Sequence, residues 1–276
     1  MKKACVIGWP IEHSRSPLIH GFWLKKYDIQ GSYTKETVKP EDVRQFLGSL
    51  AERGLQGCNV TVPHKEAAFA AAEFKDPSAV AVGAANTVWL ERGKLACSNT
   101  DTYGFMTHLQ RAAPKWSERD GVVSILGAGG AARAIVHGFL QAGVSSVQIF
   151  NRSIERSEAL ADHFGPKVKA FVWSERNGKS RNSRVIVNTT TLGMKGQGDP
   201  GLDFSQVNRD CVVADIVYVP LETTILKSAR QHGLPTVDGL GMLLHQAVPG
   251  FETWFGVRPD VTEELRQILV ADIEGR

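Results

Sequence analysis

The sequence has few cysteines, and no two of them lie close together. Cys5, Cys58, Cys97 and Cys211 form no CxxC pair, although thiolate zinc sites and redox motifs need close spacing. The eight histidines also lack the HxxxH spacing of a helical zinc site. We therefore expect no metal site, and four cysteines that are buried singly as small apolar side chains.

Net charge and long apolar runs are also scarce. Lys and Arg number 32 against 29 Asp and Glu, a formal charge of +3, which is too small to predict a nucleic acid or an anionic membrane as partner. No apolar run approaches the roughly 18 residues of a membrane span. Pro10, Glu12 and His13 interrupt the first apolar stretch too early for a signal peptide. These absences predict a soluble, cytoplasmic protein.

The length of 276 residues favours two domains, because a single core stops growing at roughly 250–300 residues. The polar segment Arg111–Gly121, broken by Pro114, is the best candidate for the boundary. The first half mixes both element types. Its pattern predicts strands at Ala4–Ile7, Tyr33–Val38, Asn59–Val62 and Thr87–Leu90, and helices at Pro17–Lys26 and Pro40–Arg53.

The second half alternates short apolar runs with helical patterns, such as the helix predicted from about Ile154 to Phe164. The runs indicate strands at Val122–Leu126, Val147–Phe150, Val168–Val172, Val185–Asn188, Val212–Val217 and Pro235–Val237. Continuous apolar runs are typical of parallel strands that are covered on both faces. The sequence therefore predicts an α/β fold with a doubly wound parallel sheet.

A glycine-rich segment joins the first of these strands to a helix. Gly127, Gly129 and Gly130 lie in the order strand, GAGGAA, helix, which lets the backbone approach a pyrophosphate at the helix N-terminus. A glycine-rich turn without a ligand would show the same letters. The flanking strand and helix favour a dinucleotide site.

The residues after the next strand indicate which dinucleotide. An NAD site places an Asp or Glu there for the ribose 2′-hydroxyl, whereas this chain has Asn151, Arg152, Ser153 and Arg156. Two guanidinium groups match a 2′-phosphate. The residues are also compatible with a plain helix start with Ser153 as N-cap, and Glu155 is the nearby acid. The pattern favours NADP over NAD.

Polar side chains also gather in the first half. Ser14 and Ser16 flank Arg15, and we predict Ser16 as N-cap and Pro17 as the first residue of a helix. Asn59 and Thr61 share one face of a predicted strand. Pro63 then opens a helix with Lys65 in its first turn, where a cation opposes the helix dipole. Asn86 and the turn Asn99–Asp101 follow. By themselves these residues are also compatible with ordinary turns and caps.

The motifs together closely resemble the shikimate dehydrogenase family. They cover nearly the whole chain in family order: PIEHSRSPLIH (Pro10–His20), NVTVPHK (Asn59–Lys65), GAANT (Gly83–Thr87), NTD (Asn99–Asp101), GAGGAAR (Gly127–Arg133), NRSIER (Asn151–Arg156), NTTTLGM (Asn188–Met194), DIVYVP (Asp215–Pro220) and DGLGMLLHQA (Asp238–Ala247).

The resemblance implies reversible reduction of 3-dehydroshikimate to shikimate with NADP(H), a step of aromatic amino-acid (chorismate) biosynthesis. It places the catalytic residues at Lys65 and Asp101. It places substrate contacts at Ser14, Ser16, Asn59, Thr61, Asn86, Tyr218 and Gln246. It places cofactor contacts at Gly127, Ala128, Gly129, Gly130, Ala131, Asn151, Arg152, Ser153, Arg156, Thr189, Ile216 and Gly239.

The resemblance also implies a domain arrangement. A substrate-binding domain would comprise residues 1–110 and 243–276, with C-terminal helices returning to it from about Met242, and a Rossmann-type NADP domain would comprise residues 111–242. The active site would lie in the cleft between them. One departure is Thr102, which replaces the family's glycine after Asp101. A turn that needs positive φ would be strained there.

Several alternatives share much of this pattern. A relative that acts on quinate or on an aminated shikimate would keep the chemistry, but Ser14, Ser16, Thr61 and Tyr218 favour shikimate. A non-catalytic NADP-sensing or scaffold protein would have lost Lys65 or Asp101. A tRNA-handling reductase would need a reactive cysteine, and Cys58 is better explained as strand core. The sequence leaves monomer and homodimer both open.

Overall fold

The computed structural model describes residues 1–118 and 120–275. Arg119, within the predicted linker, and Arg276, at the end of the predicted first domain, lie outside the described residues. The chain divides into two compact units, the first made of residues 1–101 and 244–275 and the second of residues 102–243. The predicted domain boundaries at residues 110/111 and 242/243 stay predictions.

Strands and helices alternate along most of the chain. The strands are β1 Lys2–Gly8, β2 Gly31–Thr37, β3 Leu55–Val60, β4 Phe74–Lys75, β5 Thr87–Glu91, β6 Lys94–Ser98, β7 Val122–Leu126, β8 Val147–Asn151, β9 Val168–Val172, β10 Ser183–Asn188, β11 Val212–Asp215 and β12 Thr236–Val237. The α-helices are α1 Ser16–Lys26, α2 Val43–Gly48, α3 Lys65–Ala71, α4 Pro77–Val82, α5 Asp101–Ala112, α6 Gly130–Gln141, α7 Ile154–Phe164, α8 Arg176–Lys179, α9 Thr224–Gln231, α10 Gly239–Phe255 and α11 Glu263–Glu274. Short 3₁₀ segments lie at Pro114–Ser117, Trp173–Glu175 and Ser180–Asn182.

The first unit contains a mixed sheet with the strand order β2-β1-β3-β5-β6-β4. Strands β1, β2 and β3 are parallel, so their carboxyl ends share one edge. Strand β5 runs antiparallel to β3, and β6 antiparallel to β5. The start of β5 and the end of β6 therefore lie at that same edge. This topology brings residues from four separate stretches of sequence together.

Apolar residues cover both faces of this sheet. One cluster contains Ile7, Leu47, Val60 and Val88. Elsewhere in the unit, the fully buried Trp254 of α10 donates its indole N–H to the Val88 carbonyl at 3.0 Å. A Cβ on Gly57 would lie 2.1 Å from that carbonyl oxygen and 2.3 Å from the indole nitrogen. Only glycine therefore allows α10 to pack this closely against the sheet.

The second unit contains a parallel sheet with the strand order β12-β11-β10-β7-β8-β9. Counted from β7, this is the order 3-2-1-4-5-6 of dinucleotide-binding folds, whose crevice opens where the order reverses. Val185 and Val187 belong to one apolar cluster and Ile186 to another, because successive side chains of a strand point to opposite faces. The predicted α/β fold with a doubly wound sheet is confirmed.

Other predictions differ from the structure in their details. Helix α7 and strand β9 have the predicted bounds, whereas the predicted helix Pro40–Arg53 is reduced to Val43–Gly48. The strand predicted at Val212–Val217 ends at Asp215. All four cysteines are buried and unbonded to one another, as predicted. Within residues 1–118 and 120–275, no helix has the length and apolar character needed to span a bilayer.

Candidate functional site

Three side chains form what we call the polar cluster of the first unit: Lys65, Asn86 and Asp101. The Lys65 Nζ lies 2.5 Å from the Asp101 Oδ2, and the Asn86 Nδ2 donates to the Asp101 Oδ1 at 2.8 Å. The Lys65 side chain keeps 25% of its surface exposed and Asp101 10%. An ammonium group is thus held by a largely buried carboxylate while part of it still faces solvent, which suits proton exchange with a bound molecule.

The topology of the first sheet explains this convergence. Lys65 begins α3 after β3, Asn86 precedes β5, and Asp101 follows β6. The predicted opening of this helix at Pro63 is wrong, because Pro63 lies in a turn and the helix begins two residues later.

Asn86 organises the residues around it. Its Oδ1 accepts the Thr100 backbone N–H at 2.8 Å and the Thr87 hydroxyl at 3.0 Å, and its Nδ2 lies 3.5 Å from the Gln246 Oε1. The Thr100 hydroxyl donates to the Gln246 carbonyl at 2.8 Å. Gln246 belongs to α10, so a residue far along the chain is held beside the polar cluster.

Asn59 is buried beside the polar cluster. Its Oδ1 accepts the Tyr33 hydroxyl at 2.6 Å, and its Nδ2 donates to the Asn86 carbonyl and to the Thr87 hydroxyl, both at 3.2 Å. Burial raises the pKa of Tyr33 well above its ordinary value, and a hydrogen bond with Ser16 opposes that rise. Tyr33 therefore remains a neutral donor that links Ser16 to Asn59.

The two serines lie at the start of α1. The Ser16 backbone N–H donates to the Ser14 Oγ at 3.3 Å, and the two hydroxyl oxygens are also 3.3 Å apart. The prediction that Ser16 caps the helix is wrong. The helix begins at Ser16 itself, Arg15 is the N-cap residue, and the Ser14 hydroxyl oxygen accepts the first backbone N–H of the helix instead. Both hydroxyls nevertheless lie together, and Ser14 is half-buried.

Thr61 follows directly after β3. Its backbone N–H donates to the Ile7 carbonyl at 3.0 Å, and a Cβ on Gly8 would lie 2.7 Å from its methyl group. The half-buried Thr61 is therefore at the same edge of the sheet as Lys65.

Thr102 does not strain the backbone after Asp101. It is the second residue of α5, where φ is negative, and Asp28 and Arg92 are the non-glycine residues with positive φ in the described part of the chain. The Thr102 hydroxyl donates to the Ala134 carbonyl at 2.8 Å. A glycine is not required at this position because a helix begins here, not a turn.

The second unit has an open glycine segment at the crevice of its sheet. Gly127 has φ +105, and a Cβ there would lie 2.8 Å from the Thr189 Oγ1. Gly129 and Gly130 are exposed at the start of α6, with Ala128 and Ala131 half-buried beside them. Thr189 donates both its N–H and its hydroxyl to the Leu126 carbonyl, at 2.9 and 2.7 Å. An uncovered helix N-terminus with room for close approach fits a pyrophosphate.

The residues after β8 leave two guanidinium groups open. Arg152 and Arg156 are exposed, and no carboxylate of the described residues forms an ion pair with either. Asn151 donates to the Ser153 carbonyl at 2.9 Å. The Ser153 hydroxyl donates to Glu155 at 2.6 Å. Ser153 thereby holds the Glu155 carboxylate. The two exposed guanidinium groups fit the 2′-phosphate of NADP.

The remaining predicted residues of the second unit lie around the end of β11. The Ile216 N–H donates to the Asn188 carbonyl at 3.1 Å. A Cβ on Gly239 would lie 2.3 Å from the Ile216 carbonyl oxygen, so Gly239 and Ile216 are in close contact. Tyr218 is half-buried two residues further on.

Sequence profiles of known families match most of the chain. The profile described as shikimate dehydrogenase substrate binding domain matches residues 6–88, shikimate / quinate 5-dehydrogenase matches residues 110–192, and shikimate 5′-dehydrogenase C-terminal domain matches residues 239–269. A shikimate dehydrogenase (NADP(+)) of Brucella canis is 55% identical over 275 residues, which cover 99% of this chain and 95% of the relative. The chain belongs to the shikimate dehydrogenase family.

Solved structures agree with this membership. The shikimate 5-dehydrogenase of Thermus thermophilus, in complex with NADP(H) and shikimate, matches with a TM-score of 0.87 and 32% identity, covering 99% of this chain and 100% of that one. A quinate dehydrogenase of Corynebacterium glutamicum in complex with NAD matches with a TM-score of 0.90 and 28% identity, covering 97% and 98%. The predicted resemblance to the shikimate dehydrogenase family is confirmed.

The structure of this family member also contains polar residues that the sequence analysis did not select. Tyr33, Thr87 and Thr100 hydrogen bond to Asn59 or Asn86. Thr87 and Thr100 lie inside recognised motifs, whereas Tyr33 lies on β2, outside every motif. Asp215 begins the DIVYVP motif, but the resemblance assigns it no role. It is buried and accepts hydrogen bonds from Asn188, Val217 and Thr223.

Asp215 is the basis of a prediction about stability. Burial raises the pKa of Asp215 from 3.8 to about 6, while its hydrogen bonds oppose that rise. The fold favours the neutral carboxyl. The contribution of Asp215 to the free energy of unfolding is therefore complete below pH 3.8 and is lost as the pH rises through about 6. We expect the free energy of unfolding of Asp215→Asn, relative to the unchanged protein, to rise by about 2–3 kcal/mol between pH 4 and 7, as measured by urea unfolding.

Asp203→Asn is the matched control for this measurement. A hydrogen bond with Ser205 lowers the pKa of the Asp203 carboxyl, which is exposed. The ionised Asp203 carboxylate therefore stabilises the fold at neutral pH, and this stabilisation is lost as the pH falls. The free energy of unfolding of Asp203→Asn, relative to the unchanged protein, should therefore fall between pH 4 and 7. Parallel pH curves for Asp215→Asn and the unchanged protein would contradict the prediction.

Proposed function

We propose that this chain is an NADP-dependent oxidoreductase that reversibly reduces 3-dehydroshikimate to shikimate, in the biosynthesis of chorismate and the aromatic amino acids. The observation that carries the proposal is the Lys65–Asp101 ion pair of 2.5 Å, fixed by Asn86 at the edge of the first sheet. Family membership names the substrate, because the Brucella canis relative is a shikimate dehydrogenase (NADP(+)). A biosynthetic role of this kind favours a cytoplasmic location.

Lys65 and Asp101 act on the proton of the reaction. NADPH supplies the hydride to the carbonyl carbon when it is bound. The Lys65 ammonium donates a proton to the carbonyl oxygen, which becomes the hydroxyl, and in the oxidation direction the Lys65 amine accepts that proton. Asp101 keeps Lys65 in place through its Oδ2 and binds the substrate hydroxyl. Asn86 fixes Asp101 through the other carboxylate oxygen.

The substrate carboxylate is assigned to Ser14 and Ser16. Their hydroxyls lie 3.3 Å apart at the N-terminus of α1, where a negative charge is favoured. The ring hydroxyls are assigned to Thr61, Asn86, Tyr218 and Gln246. Asn59 is the least direct of the assigned contacts, because its amide already hydrogen bonds to Tyr33, Asn86 and Thr87.

The cofactor is assigned to the open edge of the second sheet. The backbone of residues 127–131 receives the pyrophosphate at the start of α6. Arg152 and Arg156 bind the 2′-phosphate, with Asn151 and Ser153 shaping the turn between them. Thr189, Ile216 and Gly239 surround the nicotinamide end. The open glycine segment and the two exposed guanidinium groups are the features that fit NADP.

The direct test is cofactor absorbance during oxidation, with shikimate or quinate as substrate and NADP⁺ or NAD⁺ as oxidant. We expect rapid reduction of NADP⁺ with shikimate and slow reaction in the other three combinations. Comparable rates with quinate and NAD⁺ would instead indicate the chemistry of the Corynebacterium glutamicum relative. NADPH binding without turnover of either substrate would favour an NADP-sensing protein.

Lys65→Ala tests the proton-transfer role. We expect kcat to fall by about 10²–10⁴-fold, the usual contribution of a general acid–base group, with a much smaller rise in KM for shikimate. Lys94→Ala is the matched control, because Lys94 forms an exposed ion pair with Glu73 in the same unit. A large rise in KM with unchanged kcat would make Lys65 a binding residue only.

Arg152→Ala tests the choice of cofactor. Loss of a charge-assisted hydrogen bond of about 1.5–3 kcal/mol should raise KM for NADP⁺ by roughly 10- to 100-fold and leave KM for NAD⁺ nearly unchanged. Arg230→Ala, which removes an exposed arginine paired with Glu222 in the same unit, is the control. Equal rises in both KM values would argue against a 2′-phosphate contact.

A further inference from the structure

Asp215 lies at the end of β11, between two loops of the second unit. It is 1% exposed, and its two carboxylate oxygens accept three hydrogen bonds. The Oδ1 accepts the Val217 N–H and the Asn188 Nδ2, both at 2.9 Å, and the Oδ2 accepts the Thr223 hydroxyl at 2.7 Å. The proposed reaction makes no direct use of this carboxylate.

The first of these contacts shapes the loop after β11. The Val217 N–H bends back to the side chain two residues earlier, as in an Asx turn. This turn sets the path of Ile216 and Tyr218 on either side of Val217. The segment is in close contact with Gly239, since a Cβ there would lie 2.7 Å from the Val217 carbonyl oxygen.

The second contact reaches the loop after β10 through Asn188. The Asn188 Oδ1 accepts the Thr190 N–H at 3.1 Å and the Thr190 hydroxyl at 2.7 Å. Its Nδ2 donates to the Leu192 carbonyl at 2.8 Å as well as to Asp215. Asn188 is 0% exposed, so its side chain depends on these protein partners for its hydrogen bonds.

We infer that Asp215 is a positioning residue that locks the loops after β10 and β11 together, and thereby sets the nicotinamide end of the cofactor site. This inference rests on the proposed function, because that function assigns Thr189 and Ile216 to the cofactor. Thr223 completes the arrangement by holding the second carboxylate oxygen. Gly193 lies beside it, since a Cβ there would be 3.5 Å from the Asp215 Oδ2, and its φ of +102 favours glycine.

The inference predicts a loss of cofactor affinity in a variant that still folds. Asp215→Ala should weaken NADPH binding about tenfold, as measured by quenching of tryptophan fluorescence, and KM for shikimate should rise as well, because the same turn positions Tyr218. Asp215→Asn should restore most of the affinity. Its amide oxygen can accept from Asn188 and Val217, and its NH₂ group can donate to the Thr223 oxygen. A residue that only stabilises the fold would leave the NADPH affinity of the folded alanine variant unchanged, and the asparagine variant would then restore nothing.

Asp203→Ala is the matched control. The Asp203 Oδ1 accepts the Ser205 N–H at 2.9 Å, the same turn as in Asp215, but at an exposed site in the later part of the loop after β10. We expect it to bind NADPH normally. A folded Asp215→Ala protein with unchanged NADPH affinity would overturn the inference.

A second pair of variants covers the case in which Asp215→Ala does not fold. Thr223→Val removes only the hydroxyl that holds the Asp215 Oδ2, and Thr223→Ser keeps it. We expect NADPH binding about threefold weaker in the valine variant and unchanged in the serine variant. Equal affinity in the two variants would overturn the inference. If the unchanged protein does not bind NADPH, the proposed function is refuted. If it binds NADPH and the variants bind equally well, the inference alone is refuted.

Discussion

The Asn86 amide is the contact on which the polar cluster depends. It hydrogen bonds to Thr87, Thr100 and Asp101 at once, and Asp101 in turn holds Lys65. The Asn86 backbone is equally constrained, because the Val60 N–H donates to its carbonyl at 2.8 Å and its own N–H donates to Ser98 at 3.1 Å. Two neighbouring strands therefore fix the amide. A buried network of this kind is rigid because each member satisfies the next.

In the second unit, too, the loop geometry depends on a single buried side chain. Asp215 is held among apolar neighbours of its sheet, where an ionised carboxylate is costly, and the raised pKa reflects that cost. An apolar residue would remove the cost but would leave Asn188, Val217 and Thr223 without their acceptor. Functional sites commonly retain such locally unfavourable groups. Stability at neutral pH is thus lowered at a position where loop geometry is needed.

Much of the second unit could be predicted because buried parallel strands have continuous apolar runs in their sequence. The central, largely buried strand β7 has the predicted bounds for this reason. The hairpin of β5 and β6 was harder to predict, because its turn at Arg92 and Gly93 lacks the usual Asn-Gly signal. The family motifs identified the residues of the site. They did not identify the hydrogen-bond partners of these residues, because the contacts of Asn86 depend on the register between β5 and β6.

Two other features had no signal in a linear pattern. Tyr33 reaches Asn59 only because β2 and β3 flank β1 in one sheet. Ser16 was expected to cap its helix from its residue type, but the backbone of Arg15 already occupies that position. Such outcomes depend on tertiary geometry, and residue preference alone does not determine them.

The division of the chain into two units also affects how the protein folds during translation. The second unit is one continuous stretch, whereas the first needs residues 244–275 in addition to residues 1–101. Trp254 and Gln246, which bond to Val88 and Thr100, emerge from the ribosome only after the whole second unit. At about 5–20 residues per second, the first hundred residues wait on the order of ten seconds for these partners. During translation the nascent first unit thus exposes its unfinished sheet, which makes it the part of the chain with the greater need of chaperone protection.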